Sequence, residues 1–276
     1  MPGAAPEFMS REILGIPPPP ADARIVYGTD PYQFADLRLP EGAGPHPVAI
    51  LIHGGFWRAA YNLEYIGHVC AAFTRAGLAS WNVEYRRIGN PGGAWPGTLQ
   101  DVASAADHLR SVAIPYRLDL NRVIAVGHSA GGHLALWLGA RKKLPENSPV
   151  YMPDPLPLAG IVSLAGVADL AMSWELHLSN TVVADLLGGG PEEIPGRYRI
   201  TSPIELLPFG IPQKLVHGTG DGSVPFEISE HYVSIAIARE DKAELIPLDG
   251  AGHFELVDPR TKEFDHVLNA VLSLLG

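Results

Sequence analysis

The chain has 276 residues, with 30 acidic against 20 basic side chains and a formal net charge of −10. Hydrophobic residues make up 46% and charged residues 18%, enough for one sizeable core and too apolar for a disordered chain. The acidic balance and the lack of any basic run count against nucleic acid as a partner, because phosphate binders cluster Lys and Arg.

A single cysteine, Cys70, rules out an intrachain disulfide, and its neighbours Val69, Ala71, Ala72 and Phe73 mark it as a small buried hydrophobe. No stretch approaches the ~20 apolar residues of a membrane span, and the N-terminus lacks the layout of a secretory signal, so a cytoplasmic location is the default expectation. Residues 1–8 (MPGAAPEF) precede a second methionine, Met9, and read as an added leader. Residues 9–26 are expected to form an N-terminal extension, stiffened by Pro17 to Pro20, and residues 27–276 a single domain.

Along that body, short β-like runs alternate with helical patterns, which predicts an α/β fold: a mostly parallel sheet with helices on both faces. Tyr27 to Leu39 suggests an antiparallel hairpin at the sheet edge. Val48 to His53 is continuously apolar between Pro47 and Gly54, as expected of a central strand buried on both sides. Leu78 to Tyr85, Arg122 to Gly127, Ala159 to Leu164, Gln213 to His217 and Ala243 to Leu248 read the same way. Leu99, Val102, Ala106, Leu109 and Val112 share one face of a predicted helix, and Phe264, Val267, Leu268, Val271, Leu272 and Leu275 stripe a last one over 261–275. Lys142 to Pro157 is Pro-rich and predicts a surface loop. Asp169 to Phe209, with broken helical patterns and Gly188 to Gly190, predicts a modest excursion over the carboxyl edge of the sheet.

Gly127-His128-Ser129-Ala130-Gly131 matches G-x-S-x-G, and it sits between a buried strand and a helical run. That placement is a nucleophile elbow: glycines two before and two after let a sharp turn lift the serine hydroxyl, and the helix amino end faces charge developing there. His53-Gly54-Gly55-Phe56-Trp57 follows the earlier central strand. Its N–H groups at Gly55 and Phe56, joined by that of Ala130, are the expected oxyanion donors.

A serine needs a base, and the base needs an orienting acid. Among 11 histidines, His253 is preferred because it lies in a loop after the last strand and before the final helix. His217 is its strongest rival. His128 and His133 flank the serine, with geometry that turns them from its hydroxyl. Asp221, in the glycine-rich loop His217-Gly-Thr-Gly-Asp-Gly-Ser-Val-Pro225, is the expected acid; Asp249 and Asp258 lie closer to His253 in sequence and are expected to cap turns or the last helix. No metal or nucleotide motif is present in the sequence, and no cofactor and no metal are expected.

These residues resemble the α/β-hydrolase superfamily over about Tyr27 to Leu275. Within it the chain is most similar to the cap-poor group of carboxylesterases, feruloyl-esterase-like proteins and arylformamidases. The resemblance rests on His53 to Trp57, the Tyr85-Arg86 step, Trp95-Pro96 with Asp101, Gly127 to Gly132 (GHSAGG), Asp221 to Pro225 and Gly250 to His253. It implies a Ser129, Asp221, His253 triad with oxyanion donors Gly55, Phe56 and Ala130. The chain carries Phe56 where arylformamidases usually have tyrosine and hormone-sensitive lipases a third glycine.

The expectation is a serine hydrolase of small carboxylic esters, working through an acyl-enzyme on Ser129 with a small-molecule substrate. Phe56, Trp57 and His128 are the expected pocket residues, Trp57 serving equally well as a core aromatic. Hydrolysis of an aryl formamide such as N-formylkynurenine is the alternative, and a catalytically silent binding fold ranks below both. Oligomeric state stays open.

Overall fold

The computed structural model describes residues 11–275, so the leader-like segment 1–8 lies outside the described residues. Eight strands form one sheet: β1 (Ala23–Val26), β2 (Phe34–Arg38), β3 (His46–Ile52), β4 (Ala79–Val83), β5 (Leu118–His128), β6 (Gly160–Leu164), β7 (Gln213–Gly218) and β8 (Ala243–Leu248). The helices, in chain order, are α1 (Gly67–Arg75), α2 (Gly97–Val112), α3 (Ala130–Ala140), α4 (Leu170–Glu175), α5 (Val182–Leu187), α6 (Pro195–Thr201), α7 (Pro203–Leu206), α8 (Glu227–Ala238) and α9 (Glu263–Leu272).

The strands lie in the order β1-β2-β4-β3-β5-β6-β7-β8. Only β2 runs antiparallel to its neighbours; from β4 to β8 every pairing is parallel. The sheet is buried on both faces because its central strands are apolar on both. In β3, Val48, Ile50 and Ile52 enter one core with α2, α3 and α8, whereas Ala49 and Leu51 enter the other with α1 and α9. Every residue of α3 is buried, which suits a helix apolar on all sides. Cys70 lies in the second core, where burial pushes its thiol up to about 12.

The predicted strands all form, but β8 is an edge strand paired only with β7 and is largely part-exposed, so it is not the doubly buried central strand that its apolar run suggests. The edge hairpin begins at Ala23, four residues earlier than Tyr27, so part of the expected 9–26 extension is a strand paired with β2. The short turn Arg11–Gly15 lies at the mouth of a cavity described below. The last helix starts at Glu263, because Asp258 closes a local turn with the Arg260 N–H and guanidinium.

The excursion between β6 and β7 consists of the short helices α4 to α7 and adds no long cap. Asp169 caps α4 by accepting from the N–H groups of Ala171 and Met172. The excursion is tied to the body of the fold by the Trp95 N–H on the Leu186 carbonyl, by Arg58 on Ser179 Oγ and O at 2.9 and 2.8 Å, and by Trp137 and His133 on the Ile200 and Thr201 carbonyls.

Strand order reverses between β3 and β5, which pair side by side with Ile52 opposite Gly127. Such a switch point opens a crevice at the carboxyl ends of open α/β sheets, and the two glycine-rich motifs emerge there together.

Candidate active site

Ser129 is the single residue between β5 and α3, with φ 57° and ψ −122°, a left-handed conformation that a non-glycine residue holds only under constraint. The Ser129 N–H donates to the Leu164 carbonyl at 2.8 Å. A Cβ on Gly127 would stand 1.9 Å from the Gly131 carbonyl oxygen, and one on Gly131 would stand 2.0 Å from that of Ile52. Neither backbone oxygen has room to retreat, so glycine is required at both positions.

The loop after β3 turns through left-handed φ values at Gly55, Phe56 and Trp57, closed by the Arg58 N–H on the Gly55 carbonyl. Among the described residues, the N–H groups of Gly55, Phe56 and Ala130 have no hydrogen-bond acceptor. The loop is held from below by His53, which is fully buried. His53 Nδ1 faces the Gly54 carbonyl at 2.9 Å and Nε2 faces Glu84 at 3.1 Å, while Tyr85 stacks on the ring and donates to the His53 carbonyl. Burial would raise the Glu84 carboxyl, yet His53, the Arg87 guanidinium and the Tyr85 N–H outweigh it and hold it below the ordinary range.

Asp221 follows β7 and His253 follows β8. Asp221 Oδ2 lies 2.6 Å from His253 Nδ1, and Oδ1 accepts from the N–H groups of Ser223 and Val224. Burial pushes the Asp221 carboxyl up, but hydrogen bonds from His217 and His253 dominate together and hold it far below the carboxylate range. The Asp221 carboxyl is therefore ionised beside His253 across the neutral range. Asp249 meets the Thr219 hydroxyl and Asp258 pairs with Arg260; neither bonds His253.

Ser129, His253, Gly55, Phe56 and His128 line one cavity of about 190 Å³, with Tyr61, Tyr65, Ser223, Phe254, Leu14 and Arg11 around its mouth and walls. Ser129 and His253 share this cavity without a direct hydrogen bond between them; such bonds often tighten only when substrate is bound. His217, the rival base, is fully buried and sits behind Asp221, its Nε2 3.3 Å from Oδ2 and its Nδ1 2.7 Å from Ser229 Oγ. It is not part of the cavity wall.

Trp57 requires a correction. It is fully buried, edge-on to His133 at 5.3 Å, and is not a pocket residue. The consecutive left-handed residues send Phe56 to the cavity and Trp57 into the core. His128 does line the cavity, its ring 4.4 Å from that of His253; burial, followed by the His253 charge, keeps it well below the usual histidine range. Tyr61, Tyr65, Phe254 and the Arg11–Gly15 turn were not anticipated from the sequence. Adjacency to His253 signals Phe254, but nothing local marks Tyr65, which reaches the site from a separate short turn, Leu63–Ile66.

The family model for BD-FAE matches residues 35–235. Esterase LipC of Mycobacterium tuberculosis is 29% identical over 273 residues, covering 91% of this chain and 64% of LipC. Isoprenylcysteine alpha-carbonyl methylesterase ICME of Arabidopsis thaliana is 26% identical over 270 residues, covering 91% of this chain and 61% of that protein. The chain thus spans just under two thirds of the length of these relatives. Two solved structures share the fold. A truncated carbohydrate esterase from gut microbiota superposes with a TM-score of 0.77 at 23% identity, over 92% of this chain and 98% of that one. A butyrate-bound esterase of Thermogutta terrifontis gives 0.73 at 20% identity, over 93% and 94%. None of the proteins named here is an arylformamidase. With the family match running from β2 into α8, the chain belongs to the BD-FAE family.

Proposed function

We propose that the protein is a carboxylesterase for short-chain esters, with Ser129 as nucleophile, His253 as base and Asp221 as orienting acid. The observation that carries this reading is the 2.6 Å contact from Asp221 Oδ2 to His253 Nδ1. It fixes the tautomer and leaves Nε2 as the ring nitrogen open to the serine proton. Ser129 Oγ attacks the acyl carbonyl as its proton passes to Nε2, and the imidazolium is steadied by Asp221. The oxyanion forms against the N–H groups of Gly55, Phe56 and Ala130, a contribution of about 3–4 kcal/mol per donor where such groups have been removed. Collapse expels the alcohol, which takes the proton from His253, and water then attacks the acyl-serine by the same route.

A cavity of about 190 Å³ is small beside the roughly 300–1,000 Å³ of sites for drug-sized ligands, which supports an acyl group of few carbons. The Thermogutta esterase has been solved with butyrate and with propionate bound, in keeping with that size. The test is kcat/KM for p-nitrophenyl acetate, butyrate and octanoate, with Ser129→Ala as the blank. The reading expects acetate or butyrate to be preferred over octanoate by at least about 10-fold, an energy near 1.4 kcal/mol. A preference for octanoate contradicts the short-chain assignment, and turnover retained by Ser129→Ala contradicts the mechanism.

A further inference from the structure

One chain of hydrogen bonds joins the two halves of the site without using any triad side chain. The Gly54 N–H donates to the Tyr65 hydroxyl oxygen. That hydroxyl lies 3.0 Å from His128 Nδ1, and His128 Nε2 lies 2.9 Å from the carbonyl oxygen of His253. A carbonyl only accepts, so Nε2 carries the hydrogen. In the neutral ring Nδ1 must then accept, and the Tyr65 hydroxyl supplies the proton while its oxygen receives Gly54. Every donor and acceptor along the path is matched, which fixes each orientation.

The path also runs where the backbone is tightest. A Cβ on Gly54 would stand 2.6 Å from the His128 carbonyl oxygen and 2.8 Å from both Ser129 Cβ and the Tyr65 hydroxyl. Gly54 immediately precedes the proposed oxyanion donors, so its position sets theirs. At the other end, His128 grips the main chain of the proposed base.

Resting on the esterase reading, we infer that Tyr65 is a positioning residue, which through Gly54 and His128 holds the oxyanion loop and His253 at a fixed separation around Ser129. It acts through these groups and moves no proton in the reaction.

The test measures kcat and KM for p-nitrophenyl butyrate in the wild type, Tyr65→Phe, His128→Asn and the double variant, with thermal midpoints as a check on folding. Asn retains an acceptor for Tyr65 but does not reach the His253 carbonyl. Loss of fixed geometry is expected to lower kcat by about 10- to 100-fold in each single variant while KM stays within about two-fold. Because both changes cut one chain, the double variant is expected to fall little below the worse single. A Tyr65→Phe protein with wild-type kcat overturns the inference, as do losses that multiply in the double variant. If Tyr65→Phe does not fold, a folded His128→Asn with wild-type kcat overturns it equally. A wild type with no ester turnover overturns the esterase reading and this role with it, whereas an active wild type beside an unimpaired Tyr65→Phe overturns the role alone.

Discussion

Asp221 Oδ2 stands 2.6 Å from His253 Nδ1 and, on its other side, 3.3 Å from His217 Nε2. One carboxylate oxygen thus serves two imidazoles, only one of which reaches the cavity. His217 closes the buried side of the carboxylate.

Asp221→Asn presents an amide to His253 and disrupts that tautomer, so kcat is expected to fall by about 10³- to 10⁴-fold. Stability adds a second readout. Because the folded Asp221 carboxyl lies below its ordinary value of 3.8, its stabilisation is present above about pH 4 and is lost as pH falls toward the folded value. Urea midpoints are expected to show the wild type ahead of Asp221→Asn at pH 7, with the gap narrowing below pH 4. A gap independent of pH would contradict the charged, hydrogen-bonded carboxylate.

His133 should make the fold acid-sensitive in the same direction, but over a higher pH range. It is fully buried, donates from Nε2 to the Thr201 carbonyl and leaves Nδ1 unpartnered, and burial lowers its pKa from 6.5 to about 4. The unfolded chain takes up a proton first, so stability is full above pH 6.5 and falls by about 3 kcal/mol as pH drops to 4. His133→Gln retains a donor for Thr201 and removes that titration. Urea unfolding at pH 7 and pH 4.5 is expected to show a smaller acid loss in the variant; equal losses would place the titration elsewhere.

How much of this was readable in advance follows from where the information lies. β3 and β5 to β7 announce themselves because strands buried on both faces must be apolar at consecutive positions, and the elbow announces itself because two flanking glycines are a local steric demand. Tyr65 meets Gly54 and His128 across 11 and 63 positions, and Glu84 meets His53 across 31, so only the folded chain brings these pairs together. Trp57 was ambiguous for a related reason. Adjacent aromatics in an irregular loop diverge according to φ, and Phe56 at 51° and Trp57 at 55° are values that a hydrophobic pattern does not encode.

The steric account of the elbow predicts that Gly127→Ala and Gly131→Ala each cost at least about 3 kcal/mol, because the clash is with backbone and not with a movable side chain. Gly196 in α6, whose added Cβ would meet nothing nearer than 3.9 Å, is the control, expected to change stability by no more than about 0.5 kcal/mol as alanine. Thermal unfolding of the three variants decides between steric exclusion and a general tolerance of alanine in this turn.

The most direct test of the central claim is covalent. A fluorophosphonate acylation mimic is added at one equivalent to the wild type and to His253→Ala, followed by intact mass and peptide mapping. The account predicts one adduct per wild-type chain, located at Ser129 within Gly127 to Gly131, with labelling of His253→Ala slowed by at least about 10³-fold. An adduct on another residue, or labelling of Ser129 at an undiminished rate without His253, would contradict it.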